Sequence, residues 1–137
     1  MAFGTLLIHC HKPRNGQYYM TESGTKTTTS CPTSSNCTTS NEAVSTKSVV
    51  PVEDSKKHWL YVDGKKWDKD INSVEYYNTF TENYSGGATE SFTVHYSGAI
   101  KNKFLIEGTY TNTTVYTETS GIYYTSTTGN FTLKVKK

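Results

Sequence analysis

The chain has 137 residues, 34% of them hydrophobic and 19% charged, with a formal net charge of +2. That length fits one domain, and this balance argues against both a membrane protein and a typical highly charged disordered chain. Near-neutrality, with Arg14 the single arginine, also excludes a dedicated polyanion tracker, so no nucleic-acid partner is expected.

The residue choice favours pleated sheet: 24 Thr, 14 Ser, 11 Tyr and 9 Val stand against 5 Leu and 4 Ala. β-branched and aromatic side chains fit a half-buried pleated surface, and good helix formers are scarce. The expected fold class is all-β, an antiparallel β-sandwich of Greek-key or jelly-roll type, with a small closed β-barrel as the alternative. Residues 1–137 read as a single β domain, with a Ser/Thr-rich polar loop or edge-strand region at about 22–48.

In chain order, residues 4–10 (GTLLIHC) predict a buried strand, ended by the Pro13 and Asn15-Gly16 turn signals; residues 17–21 predict a second. Residues 22–48 hold almost no apolar residue large enough to anchor a core. A mixture of mobile loop and polar edge strand is expected there, because a wholly structureless insertion of that length is uncommon in a compact domain. Val49, Val50 and Val52 around Pro51 predict an edge strand. His58 to Val62 predict another, closed by the Asp63-Gly64 turn pair. Residues 65–70 (KKWDKD) read as a charged corner, and Ile71 to Thr81 as a strand of irregular period.

The second half is clearer. Phe92, Val94 and Tyr96 share one face, as do Phe131, Leu133 and Val135, with polar residues between them in a period of two. Glycine-bearing turns punctuate this half at the spacing of consecutive antiparallel strands. The expected inward set is Phe92, Val94, Phe104, Ile106, Phe131, Leu133 and Val135, with the N-terminal strand paired to a late one so that no apolar edge is left bare.

Three cysteines make an odd set. If one bridge exists, Cys31 with Cys37 closes the shortest loop, while Cys10 reads as a buried small hydrophobe. Sequons begin at Asn36, Asn83, Asn112 and Asn130, about as many as a chain this rich in Ser and Thr produces by chance. The N-terminus lacks the pattern of a secretory signal. The expected location is secreted or cell-surface if the chain is a mature segment, cytoplasmic if Met1 is the native start.

Catalytic signatures are missing: no G-x-S-x-G, P-loop, G-x-G-x-x-G or H-E-x-x-H occurs, so the chain is not expected to be an enzyme. His9-x-His11 has a metal-compatible spacing but lacks nearby further ligands, and reads as two surface histidines. Asp63, Asp68 and Asp70, with Asn72, offer oxygens near a glycine turn, which makes calcium the one cofactor worth considering. The lysines around them argue for a solvated turn instead.

The residues KKWDKDINSVEYY followed by ENYSGGATESF resemble a βγ-crystallin Greek-key motif. In this resemblance Tyr84-Ser85-Gly86 stands for the aromatic-x-Gly hairpin and Asp68 to Ser73 for the acidic calcium loop. It implies a Greek key and a calcium site. It covers roughly 30 residues without a second copy, Asn72 and Lys69 depart from the pattern, and the family is not assigned on it.

The strongest lead is aromatic. Trp59, Tyr61 and Trp67 lie in sequence beside Asp63 and Asn72, side chains that stack on and hydrogen-bond to polar ligands. The leading expectation is a non-enzymatic, lectin-like carbohydrate-binding module whose partners are glycans or glycoconjugates. The alternatives are a toxin-type, membrane-active or lipid-headgroup-binding β protein, and a structural or adhesive surface domain; a homo-oligomer is compatible with any of these.

Overall fold

The computed structural model describes residues 12–55 and 58–137. Their strands are β1 (Gly16–Pro32), β2 (Thr38–Asp54), β3 (Trp59–Val62), β4 (Lys65–Lys69), β5 (Ser73–Asn83), β6 (Thr89–Asn102), β7 (Leu105–Glu118) and β8 (Gly121–Val135). A single 3-10 turn, Ser85–Gly87, is the one helical piece among the described residues. Every ladder is antiparallel; seven of them join chain neighbours and the eighth pairs β1 with β8, so the ladders return on themselves.

The all-β antiparallel expectation is met. The Greek-key or jelly-roll order is not the order of these ladders, which leave each strand beside its chain neighbour. The predicted strand at 4–10 and so its pairing with a late strand, Cys10 and His9-x-His11 lie outside the described residues.

The Ser/Thr-rich stretch is not a loop. It forms the long β1–β2 hairpin, whose tip is closed by a Cys31–Cys37 disulfide. Threonine suits it because one side chain supplies both β-branching and a hydroxyl. On the outer face Thr27 donates to Asn41 at 2.7 Å, and hydroxyl pairs join Thr29 to Thr39 at 3.2 Å and Thr81 to Ser91 at 3.0 Å.

The core lies where all eight strands are present. Tyr18, Leu60, Val62, Trp67, Val74, Ile106, Phe131 and Leu133 are buried there, with Val94 and Val135 packed against them. Phe104, expected inward, is 42% exposed because it sits in the tight β6–β7 turn rather than on a strand. Phe92 keeps its inward parity but stacks on Phe80, above the core.

Charge seals one end of this core. Lys69 pairs with Asp54, their side chains only 11% and 7% exposed. The Tyr18 hydroxyl donates to the Arg14 carbonyl at 2.5 Å, and burial pushes its pKa up to about 12.

Curvature comes from glycines facing one another across ladders, Gly98 opposite Gly108 and Gly24 opposite Gly129. Each leaves room for a ring on the next strand, since Phe131 lies opposite Gly108 and Tyr110 opposite Gly129. A Cβ on Gly108 would stand 2.1 Å from the Ser97 carbonyl oxygen, a backbone atom that cannot swing away. Gly108→Ala should therefore lower stability by about 2–3 kcal/mol, the upper part of the range for overpacking, as read from urea denaturation. A loss below about 0.5 kcal/mol would show that the strands can separate at little cost.

Candidate functional site

The β3–β4 hairpin is short because its turn arrives early. Asp63 and Gly64 have φ of 52° and 77°, the two positive values that a type I′ turn requires and that an Asp-Gly pair tolerates. β3 and β4 have 4 and 5 residues, whereas the other strands run from 11 to 17. β2 pairs with β3 only through Val52, Glu53 and Asp54, and β5 with β4 only through Val74 and Glu75. Beyond that level six strands continue alone, and their inner faces form a trough open between β2 and β5.

The trough narrows to a recess of about 200 Å³ over the core. Its floor is aromatic: Trp67 stacks on Tyr76 at 5.8 Å between ring centroids and lies 5.1 Å from Tyr96. Its rim is polar, with Glu22 and Ser48 on one side and Asp63 and Lys65 at the hairpin turn. The Tyr96 hydroxyl donates to Glu22 Oε1 at 2.6 Å. Burial first, and this bond to a carboxylate second, raise the Tyr96 pKa, so the phenol remains neutral at and above physiological pH. Trp67 is 2% exposed, and its Nε1–H is buried with no hydrogen-bond partner among the described residues. An unmet buried donor costs about 1–3 kcal/mol, and the recess beside it can admit an acceptor.

Higher up, one wall carries rings and carboxylates. Phe80 and Phe92 stack at 4.7 Å, and Tyr116 lies 6.4 Å from Tyr84 and 6.1 Å from Tyr123. Tyr84 donates to Glu82 at 2.8 Å and to Glu90 at 3.1 Å, and the first of these bonds leads in holding its pKa up at about 12. Ser120 and Tyr116 both donate to Glu118 and lower its pKa. Across from this wall, β1 and β2 present Thr28, Ser40 and Thr46 with the Lys26–Glu42 ion pair, and β8 joins the two sides through Thr125 and Thr127, by strand alternation.

The predicted site residues do not converge. Trp67 and Leu60 face inward as a cross-strand pair, which turns Trp59 and Tyr61 to the outer face, where Lys66 Nζ lies 3.7 Å from the Trp59 ring centroid. A period of two separates residues that are close in sequence. Asn72 lies in the β4–β5 turn, its carbonyl accepting from Ile100 N at 2.9 Å. Of the five, only Trp67 and Asp63 line the recess.

No family model, curated protein or solved structure matches this chain. The site therefore rests on its own geometry. Asp63, Asp68 and Asp70 are divided among the β3–β4 turn, the outer face of β4 and the following turn. Among the described residues no group of three His, Cys, Asp or Glu can hold a metal ion. The stretch resembling a calcium loop is β4 and its turn, since Trp67 draws the expected charged corner into the sheet.

Sequence reasoning missed Glu22, Ser48, Tyr76 and Tyr96. One signal was available for Glu22: it continues the Tyr18, Met20 alternation and so places a carboxylate on an apolar face. Nothing local marks Ser48, which joins the recess only because it lies opposite Met20 in the β1–β2 ladder.

Proposed function

We propose that the chain is a non-enzymatic carbohydrate-binding module, built on an up-and-down closed β-barrel, that takes a terminal sugar into the recess over Trp67. The ladder order supports a barrel over a two-sheet sandwich, because β1 and β8 pair along 15 positions and leave no break in the sheet between them.

The observation that carries the reading is the joining of an aromatic floor to a polar rim. A sugar ring offers an apolar face for the half-buried Tyr76, which Trp67 backs from within the core, and hydroxyls for Glu22, Ser48, Asp63 and Lys65. At about 200 Å³ the recess is smaller than the ~300–1,000 Å³ of drug-sized sites, so it suits one ring entered end-on. The disulfide fits an oxidising compartment, where glycoconjugates are displayed.

The test is a glycan array followed by calorimetry, with and without calcium. Saturable binding that is calcium-independent, weakened at least tenfold by Glu22→Gln and unchanged by Trp59→Ala is expected. Loss with Trp59→Ala would move the site to the outer face. No saccharide binding at millimolar concentration would overturn the reading and leave a structural or adhesive role.

A further inference from the structure

We propose a second, independent site at the opposite end of the molecule: a docking surface for membranes that carry anionic phospholipid. A cleft of about 730 Å³ lies between the start of β1, the β6–β7 turn and the end of β8. Its charged lining side chains are those of Arg14, Lys134, Lys136 and Lys137, and among the described residues no acidic side chain lines it. None of these four forms an ion pair among the described residues, whereas Lys26, Lys69 and Lys101 each have a carboxylate partner. Lys136 also lies 5.9 Å from the Tyr19 ring centroid, and Lys103 stands beside the cleft, 5.2 Å from the centroid of Phe104. Gathered like charges repel one another, and a bound anion relieves that repulsion.

The apolar part of the cleft selects a lipid surface over a free anion. Phe104 is 42% exposed at the tip of a β-turn, flanked by Lys103 and by half-buried Leu105, and Val135 completes the wall. Inorganic phosphate would use the cations alone, while a phospholipid offers phosphate to the cations and an acyl boundary to the ring. The far end of the molecule carries Glu82, Glu90 and Glu118, so an anionic surface attracts one end and repels the other. Held this way, the protein turns its trough away from the membrane.

Co-sedimentation of the full chain with vesicles of phosphatidylcholine alone, or mixed with phosphatidylserine, tests the proposal. Binding only to the mixed vesicles, falling with added salt, is expected. The K134Q/K136Q double variant should lower partitioning about 25-fold, from roughly a fivefold loss per cation near an anionic surface. Phe104→Ser should lower it about tenfold. All these residues are at the surface, and unchanged circular dichroism will show that the variants fold. No binding to either vesicle, equal binding to both, or binding indifferent to these substitutions would each overturn the proposal. So would calorimetric binding of inorganic phosphate without vesicle binding, which would make this a free-phosphate site. Neither result bears on sugar binding at the Trp67 recess.

Discussion

Trp67→Ala is expected to destabilise the protein by about 3–5 kcal/mol, and Trp59→Ala by no more than about 1 kcal/mol. The two tryptophans are eight positions apart on adjacent strands, yet they face opposite sides of the sheet. Trp67 is 2% exposed and touches three rings, with Tyr76 and Tyr96 beside it and Phe131 edge-on at 5.7 Å. Truncating it removes the largest buried side chain and joins the vacated volume to the recess above. Trp59 loses only its partly solvated contact with Lys66. Urea denaturation of both variants measures the difference, and losses of equal size would show that the inner and outer faces of β3 and β4 are wrongly assigned.

Asp54→Ala is the second large effect. Asp54 and Lys69 face one another at the end of the core, each nearly excluded from water. Removing one partner of such a pair leaves a charge with neither water nor counter-ion, a loss of about 3–5 kcal/mol where burial is complete and toward the lower figure here. Replacing both, as Asp54→Leu with Lys69→Met, should recover most of that loss, because no charge is then stranded. Urea midpoints of the single and double variants decide the matter. A double variant no more stable than the single one would mean that Asp54 acts through packing or through the adjoining chain rather than through Lys69.

Much of the fold was legible locally. The alternation of Phe131, Leu133 and Val135 marked a half-buried strand, and the structure makes all three part of the core or packed on it. Asp63-Gly64 predicted a tight hairpin, and both residues have the positive φ that such a turn needs. The short Cys31 to Cys37 loop was the cheapest bridge to close, and it is the bridge present. The stretch at 22–48 was harder, because Thr and Ser are common to loops and to solvated strands, and only cross-strand partners distinguish the two. The site was less legible still. Its proposed aromatic cluster was read from adjacency along the chain, and a strand sends adjacent side chains to opposite faces.

What the sequence by itself determined is the antiparallel all-β class, the period of its strands and the positions of its tightest turns. Each of these follows from interactions within a few residues, namely β-branching, alternation and the φ values that Gly and Asp accept. The tertiary structure alone decided which face of each strand is interior, that β1 meets β8, and that Glu22, Ser48, Trp67 and Tyr96 share one recess. It also decided that Arg14 and the cations of Lys134, Lys136 and Lys137, from the two ends of the described barrel sequence, line one cleft. Those outcomes depend on strand register between residues as much as 117 positions apart, as in the Tyr18–Val135 pair, and no local pattern encodes which partner a strand will meet.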